Sequence, residues 1–185
     1  MNPDELKFYY GPYGKPGLEK KTNPEMIQFN ISHSHGLALC AVAHKREVGV
    51  DLEYIHEDHS FGSIAEHFFS KQEAVALNSC PEHLRLKLFF KLWTRKEALM
   101  KADGMGLALD LNQYKVLMRQ NEMRISRKPG NELQCIDIWS LRDLDAGPGY
   151  SAALAVEGQA GNSRCWQWKD SSPGFRAVER QSVKK

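Results

Sequence analysis

Three carboxylates and a lysine occupy two short stretches of this chain, at spacings that place them on shared faces. In Val48-Gly49-Val50-Asp51-Leu52-Glu53, apolar Val48, Val50 and Leu52 alternate with Gly49, Asp51 and Glu53, which is the period of a strand. Residues two apart on a strand share a face, so Asp51 and Glu53 point the same way. The stretch from Trp93 to Lys101 reads as a helix. There Glu97 lies one turn after Trp93 and one turn before Lys101, on a stripe that also carries Phe90. A carboxylate on an apolar stripe requires a partner, because burying an unpaired charge is costly. Oxygen-only ligands suit magnesium, which keeps part of its water and takes the rest of its octahedron from carboxylates and substrate phosphates. A lysine one turn beyond Glu97 adds charge for such a phosphate. The set would serve phosphoryl-type transfer, in which positioning and charge neutralisation supply most of the acceleration. The same spacings occur on solvated strands and on helix surfaces with Glu–Lys pairs, so on spacing alone a surface reading stays open.

The elements that must position these residues follow from the rest of the pattern. Gln28 to Ser32 and Leu37 to Ala43 read as strands on either side of the turn Ser32-His33-Ser34-His35-Gly36. With the strand carrying Asp51 they are expected to form one small antiparallel sheet. Phe61 to Phe69 reads as a short helix. Ser70-Lys71-Gln72-Glu73 fits a capping box that opens a second, which Asn78 and Pro81 break. Glu82 to Ala102 is the longest helix, stopped by Asp103-Gly104-Met105-Gly106. Strands return at Tyr114 to Met118, Met123 to Ser126, Gln134 to Leu141 and Tyr150 to Val156. The turns between them are Pro129-Gly130-Asn131 and Asp145-Ala146-Gly147-Pro148-Gly149. Residues 1 to 24 are rich in turn signals, and the polar tail after Gly158 is expected to add one strand at Cys165 to Lys169 and then fray. Strands before and after a helical block indicate an α+β fold.

The 185 residues suit one domain or two small, closely packed halves, and 42% hydrophobic content suffices for a core. A net charge of +2 is too mild to argue for nucleic acid or a membrane surface. No apolar run reaches transmembrane length, and the first residues lack the basic and apolar segments of a signal peptide. Cys40, Cys80, Cys135 and Cys165 are scattered, without metal or redox spacing, which suggests a reduced, cytoplasmic protein. Cys40, in a small apolar strand, reads as a core residue.

Ordered blocks change the weight of the carboxylates. Gly14-Lys15-Pro16 comes first, followed by Phe29-Asn30-Ile31-Ser32-His33-Ser34 and then Val48 to Glu53. Phe68-Phe69-Ser70-Lys71-Gln72-Glu73 comes next. Leu92-Trp93-Thr94-Arg95-Lys96-Glu97-Ala98 with Lys101 follows, closed by Gly104-Met105-Gly106-Leu107. From about Tyr10 to Val156 the chain resembles the 4′-phosphopantetheinyl transferase superfamily. The Asn-Ile-Ser-His-Ser turn marks the Sfp-type form rather than the short trimeric holo-carrier-protein synthase type.

The resemblance implies a fold of two pseudo-symmetric halves, each with a small antiparallel sheet and packed helices, with the active site between them. It also implies transfer of the phosphopantetheine arm of coenzyme A to a serine of an acyl or peptidyl carrier protein, releasing adenosine 3′,5′-bisphosphate. By position, Asp51, Glu53 and Glu97 match the magnesium ligands, and Lys101 matches the lysine on the pyrophosphate. Ser32 and His33 match residues at the coenzyme phosphates, Lys15 matches one in the nucleotide pocket, and Lys96 stands near the coenzyme or on the surface. The base for the serine proton is Glu97 or a water held by the metal. Residues from Ile55 to Cys80 match the carrier-docking region. His35 stands where the family more often has glycine and receives no role. Trp93, Phe68 and Phe69 read as core, Glu73 as a helix cap, and Lys71 and Arg46 as solvated charges.

The departure from the family is expected at the front, where few residues precede Tyr10 and the family usually carries a helical segment. The expected organisation is a shortened N-terminal half over residues 1–47, a half carrying the metal site over 48–160 and a polar tail over 161–185. The short first half is expected to leave apolar sheet surface uncovered. Two other readings stand beside the transferase: a truncated, non-catalytic module that binds coenzyme A or a carrier protein, and a magnesium phosphohydrolase using the same carboxylates.

Overall fold

The computed structural model describes residues 3–57, 61–106, 114–119, 122–127, 136–159, 161–169 and 176–180. The α+β arrangement expected from the sequence is what the chain forms. Strands β1 (Phe8–Tyr10) and β2 (Pro16–Leu18) pair antiparallel around the Gly- and Pro-rich turn, where only turn structure was expected. Strands β3 (Ile27–Ser34) and β4 (Leu37–His44) form an antiparallel hairpin with Ser34 opposite Leu37. Its two-residue turn, His35-Gly36, has positive φ at both positions, the geometry that matches the twist of a tight hairpin.

Strand β5 (Val48–Tyr54) corrects the first sheet. It does not pair with β4 but forms the edge of a separate five-stranded antiparallel sheet. The order is β5, β9 (Tyr150–Glu157), β8 (Ile136–Leu144), β7 (Glu122–Arg127) and β6 (Tyr114–Arg119). Val48 and Leu52 align with Val156 and Ala152 of β9. The reason is burial on both faces: Val48, Gly49, Val50, Asp51 and Leu52 are all buried. The two edges of β5 are met differently: β9 pairs along one, and side chains of β3 reach the amides of the other. The turn proposed at Pro129-Gly130-Asn131 lies outside the described residues. The tail also departs from expectation: β10 (Cys165–Lys169) pairs with β11 (Arg176–Arg180) instead of fraying alone. Arg-Ala-Val-Glu-Arg carries too few apolar residues for its period to mark a strand.

Three helices follow β5: α1 (Phe61–Phe68), α2 (Lys71–Ser79) and α3 (Glu82–Asp103). The capping box of α2 forms in full, with Ser70 Oγ accepting from Glu73 N at 3.3 Å and Glu73 Oε2 accepting from Ser70 N at 2.7 Å. Helix α3 ends at Gly104, whose left-handed φ of 83° lets its amide return to the Met100 carbonyl. The first half of α3 packs with α1 and α2 through an aromatic cluster of Phe61, Phe69, Phe89 and Phe90. Phe68 meets Trp93 edge-on at 5.5 Å, so these aromatic residues pack as expected. The second half of α3 lies on the large sheet, burying Ala98, Leu99, Met100 and Ala102 against Trp139, Leu141, Ala153 and Ala155. A hydrogen bond joins Thr94 to Ser151 at 3.2 Å, and Arg95 grips Asp143 of β8 with two bonds of 2.7 Å.

Two further expectations fail. Cys40 is exposed, because it lies opposite Ile31 on the outer face of the hairpin. Arg46 is not merely solvated: its guanidinium bonds the carbonyls of Glu157 and Gln159 at the end of β9. Among the described residues no helix is long and apolar enough to cross a membrane.

Candidate active site

Gly49 decides how α3 meets β5. A Cβ at this position would lie 2.1 Å from the Ala98 carbonyl oxygen and 2.3 Å from the Ala102 amide nitrogen. Without that Cβ, the helix backbone rests on the strand backbone. This contact carries Lys101 to Asp51, whose Oδ1 accepts from Lys101 Nζ at 2.7 Å and from Ser32 Oγ at 3.0 Å. Lys101 also donates to Ser32 Oγ at 3.0 Å, closing a three-membered network among β3, β5 and α3.

Asp51 is 1% exposed, and its second oxygen, Oδ2, is buried without a hydrogen-bond partner. A buried carboxylate oxygen with no donor is costly unless something electropositive meets it. Glu97 reports the same field. Its carboxyl is pushed up to about 6, chiefly by burial and then by the negative charges of Asp51 and Glu53, with Lys101 opposing. Glu53 is also raised, by burial first and by Asp51 second, while Ser34 and Lys101 pull it down. The three carboxylates thus feel one another, and a cation would relieve all three. They are not gathered into a cage: among the described residues, no three His, Cys, Asp or Glu side chains stand close enough to hold a metal as they are. Oxygen donors alone, one of them orphaned, fit a hard divalent ion that brings its own water and a phosphate.

The other expected site residues divide between this centre and the scaffold. Ser32 is at the centre, but its hydroxyl is occupied by Asp51, Lys101 and the Leu52 amide. His33 is exposed and points to the opposite face of β3 from its neighbour Ser32, as alternation requires. Lys15 donates to Glu47 Oε2 and to the Ala102 carbonyl, each at 2.6 Å, which places a cation at the C-terminal end of α3. Lys96 pairs with Glu73 at 2.8 Å and lies over the Phe69 ring, so Glu73 serves both the α2 cap and α3. His35, given no role, stacks on Tyr54 at 4.2 Å, and its carbonyl accepts from the Tyr150 hydroxyl at 2.8 Å.

Sequence reasoning missed Asn30 and Ser34. Asn30 Oδ1 accepts from Val50 N at 2.9 Å and Ser34 Oγ from Tyr54 N at 3.0 Å. Their period of two with Ser32 in Asn-Ile-Ser-His-Ser was the available signal. Along the stretch from Ile55 to Cys80, the described residues of α1 and α2 border a cavity of about 490 Å³, shared with α3 and lined by Phe61, Leu77, Leu86 and Phe89 together with Glu66 and Arg85.

Comparisons with known proteins bear on this geometry. The family model described as the 4′-phosphopantetheinyl transferase superfamily matches residues 47–155. The chain is 35% identical over 168 residues to the 4′-phosphopantetheinyl transferase HetI of Nostoc sp., covering 91% of this chain and 68% of that protein. It is 33% identical to the 4′-phosphopantetheinyl transferase gsp of Aneurinibacillus migulanus, covering 70% of this chain and 51% of that protein. With the 4′-phosphopantetheinyl transferase Sfp of Bacillus subtilis it shares 28% identity, covering 84% of this chain and 65% of that protein. The chain therefore spans about half to two-thirds of the length of these relatives. The family match takes in Asp51, Glu53, Glu97 and Lys101, which lie on β5 and α3, and the chain belongs to the 4′-phosphopantetheinyl transferase superfamily.

Proposed function

We propose that this chain transfers the 4′-phosphopantetheine arm of coenzyme A to a serine of an acyl or peptidyl carrier protein, with magnesium, and releases adenosine 3′,5′-bisphosphate. Family membership supports the reaction class. The observation that carries the site is Asp51, a buried carboxylate held by Lys101 with one oxygen left unpartnered and two further carboxylates in its field.

Asp51, Glu53 and Glu97 would hold the magnesium. When bound, it supplies Lewis-acid polarisation of the pyrophosphate and a counter-charge for the leaving group. Lys101 has three N–H donors and spends two, on Asp51 and Ser32, leaving one for a phosphate oxygen of the coenzyme. The carrier serine oxygen bonds to the phosphorus next to the pantetheine arm. The bond from that phosphorus to the bridging oxygen breaks, and the adenosine bisphosphate leaves with that oxygen. Glu97 accepts the serine proton as the new phosphorus–oxygen bond forms. Lys15, Ser32, His33 and Lys96 are assigned to the coenzyme by family position. In the free chain, Lys15 bonds the C-terminal end of α3, Ser32 joins β3 to Asp51 and Lys101, and Lys96 joins α3 to α2 through Glu73. The face formed by α1 and α2 is the proposed carrier-docking surface.

The test is the intact mass of an apo carrier protein incubated with this chain, coenzyme A and magnesium. A gain of one phosphopantetheine arm that is lost on chelation is expected. Magnesium-dependent coenzyme binding without transfer would replace the enzyme by a binding module. Phosphate release from simple esters without a carrier would replace it by a phosphohydrolase.

A further inference from the structure

Strand β3 meets the open edge of β5 through side chains, in a pattern that repeats. Ser32 Oγ accepts from the Leu52 amide at 3.2 Å and donates to Asp51 Oδ1 at 3.0 Å. Two residues on, Ser34 Oγ accepts from the Tyr54 amide at 3.0 Å and donates to Glu53 Oε2 at 3.3 Å. Two residues before, Asn30 Oδ1 accepts from the Val50 amide at 2.9 Å. Alternate amides of an edge strand have no ladder partner, and β5 is such an edge. Satisfying them requires only an acceptor, which an asparagine supplies. A hydroxyl can accept from an amide and donate to a carboxylate at the same time. The chain places hydroxyls at 32 and 34, where the facing β5 residues are Asp51 and Glu53, and an amide at 30, level with Gly49, which has no side chain to hold.

We propose that Ser32 and Ser34 are positioning residues that fix the carboxylates of Asp51 and Glu53 for a divalent cation, while Asn30 only joins the two strands. This inference rests on the proposed metal role of those carboxylates. The hydrogen bond each carboxylate accepts orients it on the strand, so removing a hydroxyl frees the carboxylate to rotate and loosens the cation. Losing such a support typically lowers metal affinity ~10–100-fold.

The test uses Mn(II) as the probe, with binding to the full chain read by electron paramagnetic resonance and arm transfer followed in parallel. Ser34→Ala is expected to weaken Mn(II) binding about tenfold, at the low end of that range. Ser34→Thr, which keeps the hydroxyl, is expected to restore it. Asn30→Ala removes the same kind of amide bond, and is expected to lower the melting temperature while leaving Mn(II) affinity near that of the wild type. Equal losses in Ser34→Ala and Asn30→Ala would overturn the positioning role in favour of simple edge support. An unchanged Mn(II) affinity in folded Ser34→Ala, with wild-type transfer intact, would overturn it as well while leaving the functional reading in place. A wild-type chain that neither binds Mn(II) nor transfers the arm would overturn the functional reading, and the positioning role with it.

Discussion

Asp51 combines near-complete burial, an ion pair and an orphaned oxygen, a costly combination for a carboxyl group. Removing one partner of a buried ion pair leaves the other charge unpaired and usually destabilises, but Lys101 is 30% exposed and keeps access to water. Asp51→Asn keeps an acceptor for Ser32 and Lys101 and removes the charge. It should abolish arm transfer while lowering the melting temperature only modestly. Retention of more than a tenth of wild-type transfer would remove Asp51 from the metal set. Glu97 gives a second prediction, in pH. Its folded-state pKa of about 6 lies above the ordinary 4.5, so the folded, metal-free chain binds more protons than the unfolded chain between those values. Stability contributed by the protonated carboxyl is present at low pH and is lost as pH rises from 4.5 through about 6. Melting temperature measured in chelator should therefore carry a declining component across that window, which Glu97→Gln removes. Asp143 acts with the opposite sign. Burial alone would raise it, but the hydrogen bonds and charges of Arg95 and Lys91 hold it below its usual range. That pairing contributes stability above the normal aspartate range, and the contribution is lost as pH falls through the lowered folded value.

At the scale of elements, the contact of α3 with β5 makes the site, and it depends on an absent side chain. Gly49→Ala would drive a Cβ into the Ala98 carbonyl and the Ala102 amide, both backbone atoms that a rotamer change does not move. The helix must lift, which should cost at least the ~1–3 kcal/mol typical of overpacking. Urea unfolding should show this, together with a loss of transfer larger than the loss of folded protein, because Glu97 and Lys101 move with the helix. A variant that folds and transfers like the wild type would mean that the helix does not rest on this strand. Much of this was legible beforehand. Alternation marked β5, the 3.6-residue stripe marked α3, and Ser70 and Glu73 marked the boundary between α1 and α2. The pairing partner of β5 was not legible, since β4 adjoins it in sequence and β9 lies about a hundred residues on. Alternation gives the faces of a strand but not its neighbour. Nor did the sequence reveal the commitments of Lys15 and Lys96, whose partners Glu47 and Glu73 come close only through the fold.

At the scale of the molecule, the β3–β4 hairpin turns apolar residues outward as well as inward. The inner face carries Asn30, Ser32 and Ser34 with Leu39 and Ala41 opposite, as the register requires. The outer face carries Phe29, Ile31, Ala38, Cys40 and Val42, with Ile31 52% and Val42 64% exposed. An antiparallel sheet with a solvated face normally alternates apolar with polar, and a two-stranded sheet is marginal by itself. From Leu37 to Ala43, β4 contains no charge and no proline, the features that keep an edge strand from pairing with other chains. The free chain should therefore self-associate as its concentration rises, through this face and the open edge of β4. Val42→Lys adds a charge to an exposed position on the face and leaves the Ser32–Asp51–Lys101 network untouched. Sedimentation velocity across a concentration series should show the wild type shifting to larger species and Val42→Lys remaining at its starting size, with equal melting temperatures. A wild type that stays monomeric at tens of micromolar would show that this face is stable in water despite its composition. If the Val42→Lys variant associates as strongly as the wild type, the sticky surface lies elsewhere, with exposed Phe8, Tyr10 and Tyr13 of the first hairpin the next to test.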